Sequence, residues 1–219
     1  MIVSMWMTRD LITIAPDAPI AEAAALMARH RIRRLLVAES HAGGPRLLGI
    51  VSDGDILHAF PADVNPFAVL VRKTPQDRVA TREIMKSDLL TVTPETPIEE
   101  AALMMRDRKI GALPVVRDGK LLGIITESDI FRAFVALFSS PEGGVRITFA
   151  IAKDEDAFGL VADLTAGHAV HVLSLFTSVE GDTPACVVRL AGADIPAVLE
   201  AIWKSHHRVL NVLHLAEPS

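Results

Sequence analysis

Apolar and polar positions follow one succession of rhythms twice along this chain. A short β-rich segment, Leu11–Ile14, leads into a proline-containing turn, and Pro19 opens a stretch, Ile20–His30, with Ala, Leu and Met at helical spacing. A proline fits the first helical turn, where its missing N–H leaves no bond unmade. Two short apolar runs, Leu35–Ala38 and Leu47–Val51, predict strands, and a second helix begins at Ser52. The succession returns with Leu89–Val92, Pro97, Ile98–Arg108, Leu113–Val116 and Leu121–Ile125, then a helix from Thr126. The later strands are joined by Arg-Asp-Gly-Lys (117–120), a strong hairpin signal. The earlier pair has a longer loop with Gly43, Gly44 and Pro45. Each unit predicts β-α-β-β-α.

The residues repeat as well as the rhythm. Leu47–Phe60 (LLGIVSDGDILHAF) and Leu121–Phe134 (LLGIITESDIFRAF) agree at eight of fourteen positions, and Met7–Met27 aligns with Met85–Met105. Each copy runs about fifty residues, the size of one supersecondary unit. Beyond Ser139–Gly144 (SSPEGG) the pattern changes to strand Val145–Ile151, helix Ala157–Ala166, strands Ala169–Thr177 and Ala185–Leu190, helix Ile195–His206 and strand Val209–Leu215. That order, βαββαβ, is the ferredoxin-like arrangement. The expected organisation is a first repeat at 1–60, a linker at 61–82, a second repeat at 83–138, a linker at 139–144 and a third domain at 145–219.

Composition narrows the function. Half of the 219 residues are apolar, and the net charge of −5 is concentrated after residue 143, where five Lys/Arg face nine Asp/Glu. The basic excess that phosphate-backbone binding needs is missing, so nucleic acid is not an expected partner. The single cysteine, Cys186, allows neither an intramolecular disulfide nor a cysteine metal cluster and fits a reducing cytoplasm. The first ten residues lack a signal-peptide pattern, and no apolar run reaches membrane-spanning length, so a cytoplasmic protein is expected.

The sharpest local signal is Gly-h-h-[Ser/Thr]-x-x-Asp (h, apolar), at Gly49…Ser52…Asp55 and Gly123…Thr126…Asp129. Two readings fit. The hydroxyl and the acid three residues later form a helix-capping pair. The same atoms also suit a nucleotide: free N–H groups and a hydroxyl for phosphate, and a carboxylate that accepts two hydrogen bonds from a ribose diol.

The tandem copies resemble a pair of CBS domains. The resemblance rests on Met-Thr-x-Asp at 7–10, Pro-Asp-x-Pro-Ile at 16–20, Leu-Pro-Val-Val at 113–116 and both Gly-h-h-[Ser/Thr]-x-x-Asp segments, and it covers about residues 4–138. It implies an α/β (α+β) fold in which two pseudo-symmetric repeats form a disc with two clefts. Such clefts hold AMP, ADP or ATP, or sometimes S-adenosylmethionine. The resemblance places Asp55 and Asp129 on the ribose, Ser52 and Thr126 at phosphate, and Thr13, Thr91, Leu35, Leu113 and Pro114 around the adenine. The resemblance also implies a basic phosphate contact from at least one of Arg33 and Arg34, the alternative being a solvated basic helix end shared with Arg29, His30 and Arg31; the aligned positions are Gly111 and Ala112, so unequal clefts are expected.

Residues 145–215 resemble an ACT domain, a βαββαβ module that often binds amino acids or dimerises. The resemblance points to Asp156, Gly159 and His171 as a candidate ligand set. Five of the eight histidines lie in this region, but without metal-ligand spacing, and Cys186 sits in an apolar run, so no metal site and no nucleophile are expected. No nucleophile elbow, P-loop or HExxH motif occurs, so catalysis is not expected. The order CBS–CBS–ACT resembles the acetoin-utilisation accessory proteins of the AcuB type. It implies a stand-alone homodimeric regulator that senses an adenine nucleotide and acts on a metabolic enzyme; the alternatives are a sensor of S-adenosylmethionine or another adenosyl ligand, and a structural dimerisation module with an amino-acid-binding ACT domain.

Overall fold

The structure is a computed structural model that describes residues 1–41, 44–60, 79–138, 143–180 and 183–215. Residues 61–78 of the first expected linker, residues 139–142 of the second, and Gly43 lie outside the described residues. The chain divides into two compact units, Met1–Phe134 and Val135–Ser219.

In the first unit, a 3-10 turn at Val3–Met5 precedes β1 (Thr13–Ile14), α1 (Ile20–His30), β2 (Arg34–Glu39), β3 (Arg46–Ser52) and α2 (Asp53–Ala59). The second copy follows as α3 (Thr81–Ile84), α4 (Ile98–Arg108), β4 (Ala112–Arg117), β5 (Lys120–Thr126) and α5 (Glu127–Phe138), the last four residues of which fall in the second unit. The last residues of the expected linker are therefore structured. Thr81 is fully buried, and both its hydroxyl and its N–H donate to Ala18 O.

The hairpins β2–β3 and β4–β5 match down to an irregularity at Val37/Ala38 and at Val115/Val116. They differ at one edge. β1 runs parallel to β2 through Thr13↔Leu36 and Ile14↔Val37. The expected strand Leu89–Val92 keeps only the bridge Val92↔Val115. Pro114 stands where copy one has Leu36, and a proline has no N–H to add to the ladder.

The sequence repeat and the packed unit do not coincide. Thr8 bridges to Ile124 in the second copy, and Lys86 bridges to Ile50 in the first. Val3 and Met7 are buried among Val92, Ile98, Leu113 and Ile125, whereas Val79, Ile84 and Met85 pack on the core of Ile20, Met27, Leu35 and Ile56. Each leader thus completes the other copy. The motif glycines make room for this: a Cβ on Gly49 would lie 2.8 Å from Lys86 O, and one on Gly123 would lie 2.9 Å from Thr8 O.

The second unit contains β6 (Gly144–Ala150), α6 (Ala157–Thr165), β7 (Val170–Glu180), β8 (Thr183–Gly192), α7 (Ile195–Lys204) and β9 (Val209–Leu215). The strand order β7-β8-β6-β9, antiparallel throughout, is ferredoxin-like. The core joins Ile147, Phe149, Cys186 and Val188 of the sheet to Val161, Val198 and Ile202 of the helices. The hairpin β7–β8 extends beyond the expected strand ends, with pairing through Glu180↔Thr183.

Candidate functional site

The two motif segments sit at strand-to-helix junctions, and each junction is a closed hydrogen-bond unit. Asp55 Oδ2 accepts from Ser52 N (2.9 Å) and Ser52 Oγ (2.5 Å), and Asp55 N donates back to Ser52 Oγ (3.2 Å). Asp129 Oδ2 accepts from Thr126 N (2.8 Å) and Thr126 Oγ1 (2.7 Å) in the same way. The capping reading therefore holds in both copies. It does not exhaust the carboxylates, because an ionised Asp offers about four lone-pair directions on two oxygens.

The remaining oxygen of each Asp faces a cation, drawn from a different place in each copy. Asp55 Oδ1 lies 3.5 Å from Lys86 Nζ, on the leader of copy two. Asp129 Oδ1 pairs with Arg132, one turn along its own helix. Burial alone would raise the pKa of Asp55; the Ser52 hydroxyl and N–H and the Lys86 ammonium outweigh it and hold the carboxyl below its ordinary value.

Helix N–H groups contribute less than the sequence suggests. In α2, Asp53 N donates to Arg33 O, Gly54 N to Asp53 Oδ1 and Asp55 N to Ser52 Oγ, so the first three donors are already satisfied. The Ser52 and Thr126 hydroxyls give their protons to their own aspartates. An anion here would rely on side-chain cations instead.

Those cations line two clefts, each built from both copies. The Asp129 cleft, about 300 Å³, has an apolar wall of Leu11, Ile12, Ile32 and Leu36, and its charged groups are Arg31, Arg33, Arg34, Asp10 and Asp129. The Asp55 cleft, about 290 Å³, has Leu89, Leu90, Ile110 and Pro114 as its wall, and Arg34, Lys86, Arg108, Lys109, Asp55 and Asp88 as its charged groups. Three cations against two carboxylates in one cleft meet four against two in the other. The expected asymmetry is thus not a loss of charge where Gly111 and Ala112 replace the arginine pair.

The structure gathers Arg33, Arg34, Thr126 and Asp129 in the first cleft, and Arg34, Ser52, Asp55 and Pro114 in the second. Leu35 and Leu113 lie elsewhere: both are fully buried in the cores, one residue out of phase with the cleft-facing positions. Strand side chains alternate faces, so the walls take Arg34 and Leu36, and Ala112 and Pro114, instead. Thr13 and Thr91 line neither cleft; Leu11 and Ile12, and Leu89 and Leu90, do.

The sequence reading placed none of Lys86, Arg108, Lys109 and Arg31 in a cleft. A signal was present for two of them. Arg31 and Lys109 occupy aligned positions, close α1 and α4 at φ 54° and 53°, and line one cleft each. Glycine is the usual residue at such a left-handed helix end, so a cation there in both copies is a departure visible in the sequence.

In the second unit, Asp156 caps α6 by accepting from Phe158 N and Gly159 N, both at 3.1 Å, and His171 lies on the edge strand β7. His207 bonds Glu155 and Ser205, both at 2.8 Å. Among the described residues no three His, Cys, Asp or Glu side chains converge as a metal site would require, and no helix is long and apolar enough to cross a membrane. Burial pushes the Cys186 thiol up to about 11, which leaves it unreactive.

Two matched copies that share two clefts define the class of protein, and comparison with known families agrees. The profile of the CBS domain matches residues 3–62 and 81–136, and the chain belongs to that family. An acetoin utilization protein proposed in Vibrio cholerae (AcuB) has a crystal structure 30% identical to this chain, with a TM-score of 0.52, covering 63% of this chain and 93% of that one. The CBS domain pair of protein MJ0100, solved in complex with 5′-methylthioadenosine and S-adenosyl-L-methionine, is 27% identical with a TM-score of 0.51, covering 62% of this chain and 97% of that one. An inosine-5′-monophosphate dehydrogenase of Korarchaeum cryptofilum is 32% identical over 149 residues, which are 67% of this chain and 27% of that enzyme. CBS pairs thus occur both by themselves and within enzymes. The chain spans between 23% and 64% of the length of the curated relatives that it matches at 30–32% identity.

Proposed function

We propose that this protein is a non-catalytic regulator whose CBS pair binds adenine nucleotides, AMP, ADP or ATP, in the two clefts. The observation that carries the reading is the make-up of each cleft: an apolar wall suited to a base, an aspartate with one oxygen directed away from its cap, and an excess of cations for phosphate. Asp55 and Asp129 take the ribose diol. Arg31, Arg33 and Arg34 in one cleft, and Lys86, Arg108 and Lys109 in the other, take the phosphates. Nucleotide binding favours one arrangement of the two copies, and a partner metabolic enzyme reads it; such a shift requires different affinities for the two arrangements. The protein acts as a cytoplasmic homodimer. Leu57 and Phe131, exposed at aligned positions of α2 and α5, support such a contact. The second unit is ACT-like, on the strength of its strand order and the cap made by Asp156 and Gly159.

A second reading, a sensor of S-adenosylmethionine or a related adenosyl compound, draws on the ligands solved with MJ0100. The cation excess favours phosphorylated ligands over a sulfonium. Thermal denaturation with AMP, ADP, ATP and S-adenosylmethionine decides between them. A nucleotide at about a hundred times its Kd stabilises the folded chain by about 2.7 kcal/mol. The expected result is a rise in Tm with at least one nucleotide that is lost when Asp55→Ala and Asp129→Ala are combined. No response to any adenine compound overturns the sensor reading.

A further inference from the structure

Arg34 is the one residue among those described that lines both clefts. It opens β2, opposite Ser52, and its counterpart in copy two, Ala112, lines a single cleft. The guanidinium crosses to copy two at Gly111. A Cβ built there would lie 2.6 Å from Arg34 Cζ and 2.6 Å from Glu127 Oε2. Gly111 is buried, and its carbonyl already accepts from Glu127 N at 3.2 Å. The aligned residue in copy one is Arg33, which has a side chain of its own. The absence of a side chain at Gly111 is therefore what lets the guanidinium lie at the seam.

We infer that Arg34 couples the two clefts, so that a phosphorylated ligand bound in one weakens binding of a phosphorylated ligand in the other. The inference rests on the nucleotide reading of the clefts. A guanidinium holds a phosphate best as a planar, two-pronged donor, and it can present that fork to one phosphate at a time. The first ligand draws Arg34 to its own phosphate. The Asp129 cleft then keeps Arg31 and Arg33, or the Asp55 cleft keeps Lys86, Arg108 and Lys109. Ala112 offers no second guanidinium to fill the place. A ligand without phosphate does not compete for Arg34 and binds the clefts independently.

Isothermal calorimetry of the full chain with AMP tests this. Asp55→Ala and Asp129→Ala each leave one cleft intact and report its affinity alone. The wild-type chain is expected to fill its second cleft on the order of tenfold more weakly than that cleft binds by itself. Adding Arg34→Ala to each of these chains is expected to remove the penalty, and Arg34→Gln, which keeps the stem of the side chain, to do the same with less risk to folding. 5′-Methylthioadenosine, which lacks a phosphate, is expected to show no penalty in the wild type. Wild-type affinities equal to those of the single clefts, a penalty that survives both Arg34 variants, or one AMP per chain with and without Arg34 would each overturn the coupling. AMP binding at both clefts without coupling overturns this inference alone, whereas no AMP binding overturns the nucleotide reading beneath it.

Discussion

Asp55 and Asp129 show how one side chain serves structure and chemistry together. Each spends one oxygen on its helix cap and turns the other toward a cation, Lys86 or Arg132. Arg31 and Lys109 show the opposite case, in which local stability is sacrificed. A left-handed conformation costs an ordinary residue roughly 1–2 kcal/mol, whereas glycine adopts it freely. Both positions nevertheless carry a cation directed to a cleft. Lys109→Gly is expected to stabilise the fold by up to about 1 kcal/mol and to weaken AMP binding at the Asp55 cleft. Urea denaturation and calorimetry measure the two effects, and a loss of stability would show that the lysine is structural.

At the scale of elements, the exchange of leaders matters most. The turn at Val3–Met5 and the segment through Thr8 finish the second copy, and α3 with Lys86 finishes the first. Met7 and Met85 fill the space beside Gly123 and Gly49. Gly49→Ala or Gly123→Ala would push a methyl group against the leader's sulfur and its backbone carbonyl. Each is expected to destabilise the first unit by about 1–3 kcal/mol, the usual effect of overpacking, and equilibrium unfolding of the single variants checks it. The edge strand teaches a smaller lesson. The segment Leu89–Val92 reads as β-rich just as Leu11–Ile14 does, yet Pro114 denies it a second bridge.

At the scale of the molecule, two compact units have separate cores, and each contains one of the two tryptophans: Trp6 packs on the first-unit core, and Trp203 is exposed on α7. A nucleotide held in the clefts is expected to raise the unfolding temperature reported by Trp6 fluorescence in a Trp203→Phe chain. The signal of Trp203 in a Trp6→Phe chain is expected to shift less. An equal shift of both would mean that the units unfold as one.

Much of this protein is local information, and local information is legible in a sequence. The duplication, the element order of the second unit, most of that of the first and the capping residues Ser52 and Thr126 follow from hydrophobic period, proline placement and short-range hydrogen bonding. The clefts are not local. Arg33 lines the cleft of Asp129 rather than that of the aspartate of its own copy, Lys86 meets Asp55, and Arg34 reaches Gly111. These partners are far apart in the chain and come together only when each leader adds to the opposite sheet. The alternation of strand faces also sent Leu35 and Leu113 into the cores and left Leu36 and Pro114 to the clefts. By itself the sequence determined that there are two matched modules, each with its own capped aspartate. Only the tertiary structure decided which residues share a cleft, because that choice is made by packing between the modules rather than within either.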